Sequence, residues 1–346
     1  MLDEPYRYDS ETSFMKLIIP MAGRGTRVRP HSHVTPKPLI NVRGRNMVER
    51  IVDTFNRVLP AKLDEGVFVL GPDFGEEVYT ALREICEHHG MTASFAVQET
   101  AEGTAHAVYA AEEHLDGDGI VVFADTVFDM EPGVDLEGAD VVAWVKHVDD
   151  PSRFGVAVRE DEKIVSFVEK PSEPISNEAL IGIYYVRDLA ALKEAIGGLI
   201  QDDVRGKGGE FQLTDAFDRM LKGGDVFTTA SVTEWLDCGT IPALQETTRL
   251  ILEKEQDDGA GGDVENSVLI EPVYIGPGAR VVDSIVGPHV SIESGATVRG
   301  AVLKRSIVFS EATVENVVLD DSLVGRHAVV SPGASSLNVG DHSEIR

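Results

Sequence analysis

From residue 15 onward, the apolar positions fall into short branched runs separated by stretches of helical period. Lys16–Met21 (KLIIPM) reads as a strand, Asn46–Val58 as a helix with a capping residue at its start, and Val67–Leu70 as a strand. Glu76–His89 follows as a helix, Ser94–Val97 as a strand, Thr104–Leu115 as a helix and Ile120–Ala124 (IVVFA) as a buried strand. Continuous apolar strands alternating with helices predict a mostly parallel sheet covered on both faces. Later strands near Val141–Val145, Val156–Val158, Ile164–Val168 and Ile181–Val186 are separated by turns, which predicts a mixed extension of that sheet. A helix near Thr240–Glu253 closes the region. Residues 1–14 are polar and aperiodic and predict a loose tail, with Met15 as an alternative natural start.

The pattern then changes. Residues Glu255–Asp263 (EQDDGAGGD) carry four acids and three glycines, the composition of a linker, taken here as 255–264. Beyond it, branched apolar residues recur at Ile270, Ile275, Val281, Val286, Ile292, Val298, Leu303, Val308, Val314, Leu319, Val324 and Val330, five or six residues apart. Gly, Ser, Asp and Pro fill the intervals. A β-sandwich would space its strands 8–12 residues apart. The shorter period predicts a hexapeptide-repeat, left-handed parallel β-helix over 265–346, each turn stacking one apolar residue per face on the turn below. Without chemistry of its own, such a tail serves as a cap or an oligomerising surface, and a homo-oligomer is the expected state.

Composition narrows the function. The 346 residues suggest two domains, and 42% hydrophobic with 26% charged residues is a globular composition. No apolar run reaches the roughly 18 residues that span a bilayer, so no membrane partner is expected. Two cysteines, Cys86 and Cys238, give no disulfide framework, and a cytoplasmic setting is the default. With 59 Asp plus Glu against 31 Lys plus Arg, the net charge is −28, which argues against nucleic acid as a partner. Only 11 residues are lysine and the acids spread along the whole chain, the balance of a protein adapted to high salt. The acid has one long gap. No Asp or Glu occurs from Lys16 to Val48, where the chain's average would place about five or six, and the stretch holds Lys16, Arg24, Arg27, Arg29, Lys37, Arg43 and Arg45. A basic island in an acidic chain predicts an anion site.

That island contains MAGRGTRVRPHSHVTPKPL, Met21 to Leu39, directly after the first strand. Gly23 and Gly25 let main-chain amides face a phosphate. A Walker loop would need G-x4-G-K-[ST], which is absent, and a dinucleotide fingerprint would need a third glycine where Val28 and Pro30 stand. The strand, the G-R-G-T-R turn and a lysine ten residues past Arg27 in P-K-P-L resemble the sugar-1-phosphate nucleotidyltransferase family, with glucose-1-phosphate thymidylyltransferases as the nearest subgroup. These enzymes make nucleoside-diphosphate sugars from a nucleoside triphosphate and a sugar 1-phosphate. The resemblance spans roughly residues 15 to 250, and many relatives carry a hexapeptide tail.

The resemblance implies an α/β fold, with a Rossmann-like, mostly parallel sheet in a catalytic domain at 15–254. It implies that Ala22, Gly23, Gly25 and Thr26 wrap the triphosphate, that Arg27 stabilises the departing pyrophosphate, and that Lys37 holds phosphates between loop and sugar. The other island arginines (Arg24, Arg29, Arg43 and Arg45) are read as surface charges. Gln98, Gly103 and Thr104 in AVQETAEGTAHA correspond to the family's pyrimidine reader. A glutamine amide offers one donor and one acceptor, which match N3–H and a neighbouring carbonyl of uracil or thymine. Asp125, at the end of IVVFA, and Asp237, in EWLDCGT, correspond to two aspartates that hold one Mg2+. Magnesium needs only a few carboxylates besides substrate phosphates and waters. The family's usual G-D-N is A-D-T here, with Ala124 and Thr126 flanking the aspartate. On the sugar side, Gly155 would admit the sugar to the backbone, Glu169 would bond its hydroxyls, Lys170 would pair with its phosphate and Gly182 would line the floor. As structure alone, Gly155 and Gly182 are equally tight-turn or close-packing positions.

Two other functions compete. A catalytically silent sugar-nucleotide-binding regulatory relative would lack Arg27, Lys37, Asp125 or Asp237, and all four are present. A bifunctional acetylglucosamine uridylyltransferase would carry an acyltransferase in the tail, with His289, His327 or His342 as base. None of those histidines has a context distinct from a surface turn. The residues leave dTTP against UTP, and the identity of the hexose 1-phosphate, open.

Overall fold

Met15–Pro20 (β1) is apolar on both faces, as a strand in the middle of a sheet must be. It begins an ordered series: α1 (Met47–Val58), β2 (Leu63–Leu70), α2 (Glu76–His88), β3 (Thr92–Val97), α3 (Thr104–Tyr109), β4 (Asp118–Val122), β5 (Thr126–Asp129), β6 (Val141–His147), β7 (Gly155–Glu160), β8 (Lys163–Glu169), β9 (Glu178–Val186), α4 (Leu189–Gln201), α5 (Leu213–Gly223), β10 (Phe227–Ser231), β11 (Glu234–Asp237) and α6 (Ile241–Lys254). The computed structural model describes residues 14–23, 25–32, 35–173, 175–255 and 261–332. The expected tail up to residue 13, Arg24, the middle of the expected linker and the tail from residue 333, with His342, lie outside them.

Contacts divide the chain into two units. The first comprises residues up to Ile40 together with Arg45–Ala243, and the second comprises Asn41–Gly44 with the chain from Leu244. This contact boundary falls ahead of the compositional change at residue 255, so nearly all of α6 is counted with the second unit.

In the first unit, nine strands form one sheet in the order β3-β2-β1-β4-β9-β6-β10-β8-β7. The four strands β3, β2, β1 and β4 are parallel. Then β9 joins β4 antiparallel, and of the remaining neighbours only β6 and β10 pair in parallel. A parallel half thus carries a mixed half. Alternation along the strands feeds two cores: Leu17, Ile19, Phe68 and Ile120 face one way, with Ile51 and Leu82 of α1 and α2. Ile18, Val67, Val69 and Val121 face the other, with Val108, Leu192 and Phe217 of α3, α4 and α5. Fully burying one such side chain stabilises by about 1.5–3 kcal/mol, so this two-faced burial fixes the register of β1. Asn46 starts α1 with a reciprocal capping box: its Oδ1 accepts from Glu49 N at 3.0 Å, and Glu49 Oε2 accepts from Asn46 N at 2.8 Å.

Two features differ from the sequence pattern. The helix expected to reach Leu115 ends at Tyr109 and is followed by a 3-10 turn at Glu112–His114, where Ala111 leaves helical geometry. Helices α4 and α5 were not legible, and in α4 the cause is Gly197–Gly198, which weakens the local helical signal.

In the second unit the chain winds as short parallel strands stacked in three sheets. Val281, Val298, Val314 and Val330 are direct neighbours along one sheet, Val286, Leu303 and Leu319 along the second, and Ile275, Ile292, Val308 and Val324 along the third. Three spacings of five or six residues make one turn of the coil, which explains the period. Ile270 is the exception. It is 45% exposed, because Leu269 pairs with Val286 and takes the inward place. Between strands the chain turns through left-handed residues, stacked at Asn266, Asp283, Gly300 and Asn316. Asn, Asp and Gly tolerate that conformation best. Glu293 is fully buried here, and its carboxylate accepts from Ser291 Oγ at 2.8 Å, Asn41 Nδ2 at 3.0 Å and Gly44 N at 3.2 Å. Three donors satisfy a charge that burial would otherwise penalise.

Candidate active site

The site grows from the carboxyl ends of β1 and β4, where open α/β sheets bind ligands. Met21 N donates to Val69 O at 2.9 Å, fastening the chain as it leaves β1. It then turns at Gly25, whose φ of 52° is left-handed, into a short 3-10 helix at Thr26–Val28. A Cβ on Gly25 would lie 3.2 Å from the Cβ atoms of Lys37 and Ser32, and Ser32 Oγ donates to Gly25 O at 2.6 Å. The loop therefore folds against the segment carrying Lys37. Lys37 is 8% exposed, and its ammonium group lies 3.3 Å from Asp125 Oδ2. A buried ammonium requires such a partner.

Asp125 is held by the backbone on both sides. Phe123 N donates to Gly182 O at 2.9 Å, and Cys238 N donates to Asp125 O at 3.2 Å. Strands β5 and β11 form an antiparallel ribbon in which Thr126 stands opposite Asp237. The ribbon thus sets the two aspartates on adjacent strand ends. Asp237 Oδ1 accepts from Gly239 N at 2.6 Å, which orients the carboxylate. No cluster of three or more His, Cys, Asp or Glu side chains suited to a metal occurs among the described residues. Two carboxylates beside a cavity nevertheless fit Mg2+, which takes its remaining ligands from phosphates and water.

Two cavities, of about 420 and 640 Å3, share Arg27, Thr104, Phe123 and Asp125 in their walls. The smaller holds the glycine-rich loop, Lys37 and Gln98; the larger holds Gly155, Glu169, Lys170, Gly182 and Asp237. Every site residue named from the sequence lines one or both. Gln98, 7% exposed, is anchored by its N–H to Leu70 O at 2.8 Å, and its Nε2 lies 3.0 Å from His106 Nδ1. Gly103 has φ 122°, and a Cβ there would fall 2.4 Å from Phe211 O, so only glycine fits. Thr104 Oγ1 donates to Gln212 Oε1 at 3.2 Å and accepts from Leu213 N at 3.0 Å.

In the larger cavity, Gly155 stands opposite Glu169 across β7 and β8, and a Cβ would come 2.8 Å from Glu169 Oε2. Lys170 Nζ lies 3.4 Å from Glu169 Oε1. The rings of Phe154 and Trp235 meet edge to face at 5.0 Å. Tyr184 is buried on the same wall; burial, and then the Glu169 carboxylate, push its phenol well above the ordinary value, so it stays neutral. Arg153, Trp235, Tyr184 and Gln212 line this cavity without having been singled out. Arg153 was within reach of sequence reasoning, as the cation inside DPSRFG just before Gly155.

The structure divides the basic island. Arg27 and Lys37 face the cavities, whereas Lys16 pairs with Asp116 and Glu65, and Arg45 pairs with Asp53 at 3.0 Å. In the second unit, Arg43 pairs with Glu255 at 2.9 Å and lies over the Tyr274 ring at 5.4 Å. It is therefore not a free surface charge. His289 Nε2 lies 2.9 Å from Glu253 Oε1, and His289 and His327 both occupy left-handed turn positions.

Residues 16–254 match the nucleotidyl transferase family, and the chain belongs to it; residues 259–315 match the GlmU-like C-terminal hexapeptide family. The glucose-1-phosphate thymidylyltransferase of Streptomyces antibioticus is 28% identical, covering 96% of this chain and 99% of that protein. The low-salt glycan biosynthesis nucleotidyltransferase of Haloferax volcanii is also 28% identical, over 96% of this chain and all of that protein (100%). The crystal structure of a UDP-glucose pyrophosphorylase complexed with UDP-glucose shares the fold with a TM-score of 0.55 at 20% identity, covering 70% of this chain and 99% of that one. Among the described residues, no helix is long and apolar enough to cross a membrane.

Proposed function

We propose that the protein is a glucose-1-phosphate thymidylyltransferase-like enzyme, which forms an NDP-sugar and pyrophosphate from dTTP or UTP and a hexose 1-phosphate, glucose 1-phosphate foremost. The observation that carries this reading is the convergence of Arg27, Lys37, Asp125 and Asp237 where the two cavities meet, with Gln98 at one end and Glu169–Lys170 at the other. One cavity suits a nucleotide and the other a sugar phosphate.

The reaction is a single in-line displacement. An oxygen of the sugar 1-phosphate attacks the α-phosphorus of the triphosphate, the bond from that phosphorus to the bridging oxygen breaks, and pyrophosphate leaves with the electron pair. The attacking phosphate is already anionic at neutral pH, so no protein base or covalent nucleophile is needed. Catalysis reduces to positioning and charge stabilisation. Loop amides of Ala22, Gly23, Gly25 and Thr26 face the triphosphate, and Arg27 stabilises charge on the leaving pyrophosphate. Lys37, held in place by Asp125, neutralises phosphate oxygens between the substrates. Glu169 accepts from sugar hydroxyls, and Lys170, joined by Arg153, meets the sugar phosphate. Asp125 and Asp237 would hold Mg2+, which when bound neutralises phosphate charge and lowers the barrier to displacement.

The test is pyrophosphate release from each nucleoside triphosphate paired with each sugar 1-phosphate, with and without Mg2+. Turnover is expected with dTTP or UTP and glucose 1-phosphate, and is lost on chelation. An enzyme that turns over no pyrimidine triphosphate overturns the reading.

A further inference from the structure

Gln98 ends β3 with its side chain nearly sealed from solvent, and its only side-chain hydrogen bond among the described residues is to His106. The Gln98 amide N–H faces His106 Nδ1 at 3.0 Å, a bond made by the His106 tautomer that carries its proton on Nε2. Turned over, the amide would put Oε1 against Nδ1 and leave two lone pairs facing each other. The tautomer of His106 therefore decides which way round the amide sits, and burial penalises the unpaired alternative.

This orientation has a consequence for the base. With one Nε2 hydrogen given to His106, the edge left for the cavity is Oε1 beside the second N–H. Uracil and thymine present N3–H next to carbonyls and match that edge. Cytosine presents a bare N3 beside an amino group and needs the amide reversed. We propose that His106 is a positioning residue that locks the Gln98 amide, and that this lock sets discrimination of uracil and thymine against cytosine. The inference rests on reading the smaller cavity as a pyrimidine nucleotide site. His106 lies on α3, three residues past Gly103, and does not line the cavity.

The test measures kcat/KM for UTP and dTTP against CTP, with CTP as a competitive inhibitor where its turnover is too slow. His106→Leu removes the acceptor and lowers the ratio by about tenfold or more, since a site that bonds a polar group discriminates strongly only while its own partner is fixed. The change falls on KM rather than kcat, because the base is remote from the reacting phosphorus. His106→Asn, whose Oδ1 can accept near the Nδ1 position, restores the ratio to within a few-fold, a rescue that a space-filling role would not predict. A folded His106→Leu enzyme with the wild-type ratio overturns the lock. Should that variant not fold, 15N spectra of histidine-labelled wild type decide the matter: an Nε2–H tautomer at His106 supports the lock and an Nδ1–H tautomer defeats it. A wild type that uses no pyrimidine triphosphate defeats the underlying nucleotide reading instead, so the two failures are distinct.

Discussion

The two units of this chain use polar residues in opposite ways. In the coil of the second unit, buried Glu293 apart, the repeated polar residues are punctuation marks: Asn266, Asp283 and Asn316 occur where the backbone turns left-handed, and the inward apolar residues pack on their counterparts one turn away. In the first unit, the polar residues that matter sit at strand ends and meet partners far off in sequence, as Lys37 meets Asp125 and Thr126 stands opposite Asp237. The first arrangement repeats a local rule and gives a scaffold. The second breaks local rules and gives a place where charges converge, which is what stabilising a phosphoryl transfer requires.

The largest test of this contrast is Arg27→Ala. Under the proposed mechanism, removing this cation is expected to lower turnover by roughly a thousandfold, with circular dichroism and melting temperature unchanged. If the variant released pyrophosphate at the wild-type rate, the convergence would be packing and not chemistry. Val298→Ala probes the other unit. Val298 is fully buried between Val281 and Val314, and losing two methyl groups there should cost the coil about 1–3 kcal/mol by denaturant unfolding. Pyrophosphate release at saturating substrate should persist; an equal loss of turnover would break the comparison.

The acid surplus yields two smaller effects. Raising potassium chloride from low to molar levels is expected to raise both melting temperature and activity by screening the −28 charge, and a fall in both would refute salt adaptation. Within that surplus, burial and then the neighbouring Asp140 and Asp188 hold the Asp225 carboxyl above its ordinary value. A raised carboxyl contributes favourably only below its unfolded value, near pH 4, and that contribution is lost as pH rises through the folded value. Asp225→Asn should therefore raise the melting temperature by about one to three degrees at pH 7 and change nothing at pH 3. Molar salt should shrink the difference.

Much of the architecture was readable because its rules are local. The strand IVVFA, the capping box at Asn46 and Glu49, and the coil period are each written within a few residues of themselves. The coil erred by one place at Ile270, where two adjacent branched residues, Leu269 and Ile270, competed for one inward position. The α4 helix was hidden by its glycine pair. In the site, family motifs led to the cavity-lining residues; Trp235 and Tyr184 lie inside motif segments, beside Asp237 and Gly182, but only the fold made them visible as parts of a wall. His106 was concealed for another reason: its contact is with an amide orientation, which no spacing encodes.

By itself, the sequence determined the two-part organisation, the repeat length and the acid-free stretch in which the basic residues gather. Only the tertiary structure decided which charges of that stretch serve the site. Lys16 turns to Asp116 and Arg45 to Asp53, while Lys37 is carried to Asp125 and Arg27 to both cavities. The physical reason is range. Periodicity and composition act between neighbours along the chain, whereas a buried cation is placed by whichever strand end the sheet order brings beside it.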